Sequence, residues 1–107
     1  MPTTSMQNVT LTTKANVYFD GKAVSHAFGT ADGGSKAAGV GWGPDTALTF
    51  GTAAAEIMEC VSGSCEYKLK DTQAWVQVGE GESFNVAENS SFDIKVADQF
   101  HYVCHYA

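Results

Sequence analysis

The side chains best suited to bind a transition metal are spaced in a way that argues against a metal site. The chain has three histidines, and two of them, His101 and His105, lie four residues apart on a predicted strand. At roughly 3.3 Å per residue they share a face but stand about 13 Å apart. His26 lies in another segment with no further ligand beside it. Zinc or iron needs several ligands about 2.0–2.3 Å from one point, so we expect no bound metal.

The cysteines do not form a recognisable reactive site either. Cys104 lies on one face of a predicted strand, and that face also carries Phe100, Tyr102 and Tyr106. Its neighbour His105 points to the other face, so no base is placed to generate a thiolate. We interpret Cys104 as a small core residue. Cys60 and Cys65 lack the second pair of ligands that a zinc site requires. Phosphate-binding loops and the motifs of serine hydrolases and kinases are also missing from the sequence.

Glu56 differs from the other acidic residues in its surroundings. Many of the others stand in turn-like pairs such as Asp20-Gly21, whereas Glu56 follows three alanines and precedes Ile57 and Met58. Two interpretations remain open for it. It is either a solvated glutamate at the end of a strand or a buried carboxylate with a function.

Size and charge restrict the classes of function. The chain has 107 residues, a formal charge of −6 and 44% hydrophobic residues, enough for one packed core. Its six basic residues are all lysine. Such an acidic surface argues against nucleic acid as a partner, since backbone phosphates are bound by clustered cations. No apolar segment is long enough to span a membrane, and nothing at the N-terminus resembles a secretory signal, so we expect a cytoplasmic protein.

The hydrophobic pattern predicts an all-β fold. Short β-rich segments alternate with clusters of glycine, serine, aspartate and asparagine about every eight to twelve residues, as in a sandwich or small barrel. Alternation is clearest in segments 45–52, 74–79 and 99–106. Residues 29–34 predict a loop, after which Lys36 begins a strand on the face opposite its alternating glycines. Glycine at every second position would let another sheet or backbone approach closely. We expect residues 1–8 to fray and residues 9–107 to form one domain.

One segment, 52–61, fits both a helix and a strand. Helical spacing relates four of its apolar residues, Ala54, Ile57, Met58 and Val61. However, Ser62-Gly63 resembles a two-residue hairpin turn that leads into an alternating strand. That turn would place Cys60 directly opposite Cys65, close enough for a disulfide, although a reducing compartment favours free thiols.

The segment from Phe50 to Gly63, Phe-Gly-Thr-Ala-Ala-Ala-Glu-Ile-Met-Glu-Cys-Val-Ser-Gly, resembles the first cupin motif. In that motif two histidines are followed by a glutamate and then a glycine. Phe50 and Thr52 occupy the histidine positions, whereas Glu56 and Gly63 match.

The segment that begins Gly81-Glu-Ser-Phe-Asn-Val resembles the second cupin motif, with Phe92 in place of its metal-binding histidine. Three of the four cupin metal ligands are therefore absent. The resemblance implies a single-domain cupin, a small β-barrel or jelly roll, without a metal.

More narrowly, residues 16–107 resemble the small single-domain cupins known as pyrimidine/purine nucleoside phosphorylases. The matching stretches, in order, are Asn16-Val-Tyr-Phe-Asp-Gly-Lys22, Val40-Gly41, Phe50-Gly-Thr-Ala-Ala-Ala-Glu56, Val61-Ser-Gly63, Gly81-Glu-Ser-Phe-Asn-Val86 and Tyr102-Val-Cys-His-Tyr106. The resemblance implies a homodimer that cleaves purine and pyrimidine nucleosides with inorganic phosphate, giving free base and ribose 1-phosphate without another cofactor. It also favours a strand over most of 56–62.

This resemblance suggests catalytic roles for Glu56 and Thr52. Thr52 would donate a hydrogen bond to phosphate, and Glu56 would hold ribose hydroxyls or balance the positive charge that develops on the ribose. Lys36 would supply charge to the phosphate. Lys36 and His105 both stand at positions where the family commonly has arginine.

Three aromatic residues, Phe50, Phe92 and Tyr102, would form the wall of a base-binding pocket if they point inward. Stacking tolerates different bases, so one wall could serve purines and pyrimidines. Core filling is the alternative interpretation of these rings. Two other functions also stay open: a non-catalytic, metal-free cupin that binds a nucleoside or sugar as a sensor, and an interaction module whose dimer is its function.

Overall fold

The computed structural model describes residues 3–43 and 47–106, and this part of the chain consists of β-strands joined by turns. The strands are β1 (Thr10–Leu11), β2 (Asn16–Tyr18), β3 (Ala23–Gly29), β4 (Ser35–Trp42), β5 (Leu48–Gly51), β6 (Glu56–Leu69), β7 (Val76–Gly79), β8 (Ser83–Val86), β9 (Ser91–Lys95) and β10 (Gln99–Tyr106). A single 3-10 turn, Phe19–Gly21, follows β2. The prediction of an all-β fold is confirmed.

All the strand pairs are antiparallel, and β6 connects the two parts of the sheet. The main order is β1-β3-β4-β10-β6-β9-β5, with β2 beside β3 and both β7 and β8 beside β6. The first half of β6 pairs with β8 and β10, and its second half pairs with β7 and β9. A strand that takes part in two sheet segments makes the sheet curl, which gives the cupin-like half-barrel.

The predicted hairpin turn at Ser62-Gly63 is wrong, and so is the helical alternative. The strand β6 continues through this point for 14 residues. Gly63 has a φ of +79°, and the register with β10 shifts between His101 and Tyr102, so the chain forms a bulge rather than a reversal. Serine followed by a glycine at positive φ suits either geometry, which explains the error. The predicted cross-strand pairing of two cysteines disappears with the turn.

The other predicted elements agree with the structure, with small differences in their ends. The predicted strand 45–52 is observed from Leu48, while Asp45 lies outside the described residues. The predicted strand 74–79 begins at Val76, and the loop over 29–34 joins β3 to β4. At the N-terminus, residues 1 and 2 lie outside the described part, and Thr3 donates hydrogen bonds to Glu59 from its amide and its hydroxyl.

Alternation along the strands separates an inner face from an outer face. On β10, Phe100, Tyr102 and Cys104 point inward and are buried, as predicted. The inner face packs into one core whose larger members are Leu48, Met58, Phe84, Phe92, Ile94, Val96 and Phe100. Burying each such side chain contributes about 1.5–3 kcal/mol relative to leaving it exposed, so this face stabilises the curl.

Gly63, two residues after the bulged Val61, leads to a prediction about stability. A Cβ atom at this position would lie 2.1 Å from the carbonyl oxygen of Gln99 on β10. We therefore expect Gly63→Ala to lower the free energy of unfolding by about 3 kcal/mol, because it adds a backbone clash to the strain of a positive φ. Chemical denaturation followed by circular dichroism measures this loss.

Gly21→Ala is the matched control. Gly21 also has a positive φ, +93°, but a Cβ atom there would meet no atom within 4 Å. It should cost only about 1 kcal/mol. Equal losses in the two variants would show that the bulge makes no close contact with β10.

Candidate active site

A cavity of about 230 Å³ lies on the inner face of the half-barrel. Its lining brings together four residues that the sequence singled out, Phe50, Glu56, Phe92 and Tyr102. The volume is slightly below the range of about 300–1,000 Å³ that is common for ligand pockets. A small organic molecule is therefore the class of ligand that suits it.

Aromatic rings form one wall of the cavity. Phe50 and Phe92 are direct partners in the pairing of β5 with β9, and their rings stack with centroids 5.7 Å apart and planes 21° apart. Tyr18 and Phe19 meet Phe50 edge-on, at 5.6 and 5.3 Å. These rings support one another in geometries that aromatic pairs prefer, so the wall is fixed before a ligand arrives.

Tyr18 and Phe19 are cavity residues that the sequence analysis missed. Both are partly exposed and stand at the rim. Phe19 and Asp20 have φ values of +52° and +56°, a left-handed conformation that costs a bulky residue free energy. This conformation turns the chain back over Phe50. The available clue was two aromatic residues immediately before the Asp20-Gly21 turn.

Glu56 begins β6 and lies half-buried in the cavity lining, directly opposite Tyr106 on β10. Burial raises the pKa of its carboxyl, while a hydrogen bond from the Cys104 thiol acts in the opposite direction. The Glu56 carboxyl therefore faces the pocket and has lost part of its contact with water.

Tyr102 places a phenol in the same cavity, stacked on Phe100 at 5.4 Å. Its hydroxyl shares a hydrogen bond with the buried Ser25, and burial raises its pKa to about 12, so it stays protonated near neutral pH. A Cβ atom at Gly39 would lie 2.8 Å from the Tyr102 hydroxyl oxygen. The alternating glycines of β4 therefore allow the close approach that the sequence indicated.

Thr52 follows β5 and does not belong to the cavity lining. Its hydroxyl donates to the carbonyl oxygen of Ala87 at 2.7 Å and accepts from the Ser90 amide at 2.9 Å. These contacts join the residue after β5 to the segment that connects β8 with β9. In this structure the hydroxyl proton is used within the protein.

Lys36 lies on the outer face of the sheet, away from the cavity lining. Its Nζ is 2.6 Å from Nδ1 of His105, and Nε2 of His105 is 2.8 Å from Oε1 of Glu59. Because an ammonium group only donates, Nδ1 must accept and Nε2–H must donate to the carboxylate. Partial burial opposes ionisation of Glu59, but hydrogen bonds from Thr3 and His105 hold the pKa of its carboxyl below the usual value.

A second, more apolar groove of about 370 Å³ lies on the outer face, between the N-terminal segment and the outward side of β10. Its lining includes Thr3, Phe28, His101 and Val103. Of the six predicted site residues, Tyr102 lines this groove and the other five do not.

The described residues contain no group of three or more His, Cys, Asp or Glu side chains arranged to hold a metal ion. The cupin ligand positions within the described chain carry Phe50, Thr52 and Phe92 beside Glu56. Over the same residues, no helix is long and apolar enough to cross a membrane.

Residues 13–106 match the sequence profile of a family described as pyrimidine/purine nucleoside phosphorylase. Relatives that carry this name include one from Delftia acidovorans, 60% identical, and one from Ralstonia pickettii, 62% identical. In both cases the alignment covers 100% of this chain and 100% of the relative.

Among solved structures, a protein of unknown function from Acinetobacter sp. ADP1 is similar to this chain throughout. It superimposes with a TM-score of 0.93 at 38% identity, covering 96% of this chain and 98% of the other. The likeness therefore extends over nearly the whole of both chains.

Proposed function

Because the chain belongs to the pyrimidine/purine nucleoside phosphorylase family, we propose that it cleaves purine and pyrimidine nucleosides with inorganic phosphate. The bond between ribose C1′ and the base nitrogen breaks, and a bond between C1′ and a phosphate oxygen forms. The products are the free base and ribose 1-phosphate, so the enzyme is a pentosyltransferase. One observation carries the proposal beyond family membership: a single cavity combines an aromatic wall with a half-buried carboxylate.

The aromatic wall would bind the base. Stacking on Phe50 and Phe92 requires only a flat π-system, which every nucleobase provides. Tyr102, protonated near neutral pH, adds a polar group near this wall. Two hydroxyls that share one hydrogen bond, those of Ser25 and Tyr102, retain one proton that can be donated to a ligand. Broad specificity for the base follows from recognition by shape and stacking.

Glu56 would act on the ribose. As the base departs, positive charge develops on the sugar, and a carboxylate beside it stabilises that charge or accepts hydrogen bonds from the ribose hydroxyls. Partial burial strengthens this interaction, since the effective dielectric constant is lower than in water.

The phosphate is the more demanding ligand. The cavity lining within the described residues includes no lysine or histidine, so neutral donors must supply most of the hydrogen bonds. Lys36 would contribute charge from the outer face: it adjoins Ala37 in the lining, and its charge partly opposes the effect of burial on the Cys104 pKa. Thr52 would contribute its hydroxyl by exchanging its bond to Ala87 for one to phosphate.

The proposal includes three further properties of the enzyme. It would need no metal, because phenylalanine cannot serve as a ligand at two of the cupin positions. It would form a homodimer, for which exposed apolar side chains such as Leu11, Val17 and Ile57 offer contact surface. It would work in the cytoplasm, a compartment that suits three free, buried cysteines.

A nucleoside or sugar sensor is the second candidate, and the missing cation in the described part of the lining favours it. Such a protein would use the same aromatic wall and carboxylate to bind a ligand without transferring its ribose. It differs from the phosphorylase in one measurable respect, the response to phosphate.

The direct test is release of base from inosine, adenosine and uridine, followed by chromatography with and without phosphate. We expect release that depends on phosphate, yields ribose 1-phosphate and survives treatment with EDTA. Glu56→Gln should lower kcat/KM by about 100-fold with an unchanged circular dichroism spectrum, because it removes the charge while keeping the shape.

Each contrary outcome decides one part of the proposal. Nucleoside binding without release of base selects the sensor. Release that does not require phosphate means hydrolysis instead of phosphorolysis. Full activity of the Glu56→Gln variant would remove Glu56 from the mechanism, and loss of activity after EDTA would contradict metal independence.

Lys36→Ala tests the source of positive charge. It should raise the KM for phosphate by about tenfold, equivalent to about 1.4 kcal/mol, and leave the KM for the nucleoside nearly unchanged, because Lys36 would act on the anion by its charge alone, across the sheet. Lys36→Arg should retain phosphate binding. Lys70→Ala, at an exposed lysine beyond β6, is the matched control and should change neither constant. An unchanged phosphate KM in Lys36→Ala would show that the charge comes from elsewhere.

A further inference from the structure

Three side chains with exchangeable or ionisable groups lie side by side in the cavity wall: Glu56 on β6, and Cys104 and Tyr106 on β10. The strand register puts them there. Tyr106 is paired with Glu56, and Cys104 is paired with Met58, the next inward-facing residue of β6. Because residues two apart on a strand share a face, all three side chains point into the same cavity.

The Cys104 sulfur is the middle member of this row. It lies between the Glu56 carboxyl on one side and the Tyr106 hydroxyl on the other, close enough to both for each of them to influence the pKa of the thiol. An ionised carboxylate can only accept, so a hydrogen bond between the two groups requires the thiol to donate to Glu56, and the sulfur is then left to accept from the phenol. The hydrogen bonds therefore have one direction, from Tyr106 through Cys104 to Glu56.

No other hydrogen bond to the Glu56 carboxyl is formed by residues 3–43 and 47–106. The thiol is thus the protein group in this part of the chain that is placed to orient the carboxylate and to compensate its loss of water. Cys104 is only 4% exposed, so solvent does not compete for the contact.

We propose that Cys104 is a positioning residue, whose thiol, held by Tyr106, directs the ionised Glu56 carboxylate toward the ribose. The inference rests on the proposed function, because the role of Glu56 comes from it. A thiol is a weak donor, and this weakness is useful. A stronger donor would hold the carboxylate more firmly but leave it a poorer acceptor for the ribose hydroxyls.

A nucleophilic role for this cysteine does not suit the site. Burial raises the pKa of the Cys104 thiol to about 12, and the neighbouring Glu56 acts in the same direction. The thiol therefore remains protonated near neutral pH and cannot act as a thiolate. The hydrogen-bond donor is the form that the surroundings stabilise.

The groups that face Glu56 make its titration interpretable. They are the Cys104 thiol and three phenols, those of Tyr18, Tyr102 and Tyr106, with Lys36 beyond the sheet on the outer face. Burial raises the pKa values of Tyr102, Cys104 and Tyr106, so these three stay neutral where carboxyl groups titrate. The titration of the Glu56 carboxyl is therefore not mixed with ionisation of these three neighbours, and comparison of the variants at constant phosphate removes the contribution of phosphate to the acid limb.

The test compares Cys104→Ala with Cys104→Ser by two readouts. One is the carboxyl titration of Glu56 by carbon-13 NMR, assigned with Glu56→Gln, and the other is the pH dependence of kcat/KM for inosine. Removing a donor to the charged form favours the protonated form, so Cys104→Ala should move both the titration and the acid limb to higher pH and lower kcat by about tenfold. Cys104→Ser keeps a donor and should move them to lower pH.

Two further variants separate positioning from packing. Tyr106→Phe, which removes the donor to sulfur, should shift the Glu56 titration in the same direction as Cys104→Ala but by less. Cys65→Ala is the matched control, because it removes a buried thiol that does not line the cavity. It should leave the Glu56 titration and the acid limb unchanged even where it lowers the melting temperature.

An unchanged Glu56 titration in Cys104→Ala would overturn the hydrogen bond. A shifted titration with an unchanged kcat would overturn the positioning role. If the wild-type protein releases no base from any nucleoside, the proposed function fails, yet the NMR titration still decides whether the thiol holds the carboxylate.

Discussion

The half-barrel depends on one strand that belongs to both of its parts. β6 pairs with β8 and β10 before Gly63 and with β7 and β9 after it. The pairing shifts by one residue at Val61, and the close pairing just beyond it requires Gly63 to have no side chain, because the Gln99 carbonyl oxygen of β10 lies 2.1 Å from the place a Cβ would occupy. By bending there, β6 brings Glu56 at its start to the same cavity as Phe92 on β9. The bend in β6 therefore both curves the sheet and brings the residues of the site together.

Much of this arrangement follows from residue patterns. Alternation on β10 correctly assigned Phe100, Tyr102 and Cys104 to one face, and the glycines of β4 indicated a close approach, which Tyr102 makes. Where prediction failed, the deciding contacts were distant in sequence. A Ser-Gly pair serves a turn or a bulge equally well, and only the pairing of β6 with β10 distinguishes them. The bond from Thr52 to Ala87, 35 residues away, is likewise invisible in a local pattern.

Charge is distributed unequally between the two faces of the sheet. The outer face carries the Lys36, His105 and Glu59 cluster, in which each polar group has a partner. The inner face carries Glu56 with neutral donors around it. A chain without arginine would therefore perform phosphorolysis chiefly by positioning its ligands, with one carboxylate opposing the charge that develops on the ribose. Hydrogen bonds from neutral groups matter more here than they would in a site with strong cations.

We propose that the nucleoside binds in the inner cavity and not in the outer groove. A crystal structure of the Glu56→Gln variant with inosine and phosphate tests it most directly. We expect the base to stack on Phe50 and Phe92, with the ribose hydroxyls facing residue 56. Inosine bound instead in the outer groove beside Thr3 and His101, with the inner cavity containing only solvent, would contradict it.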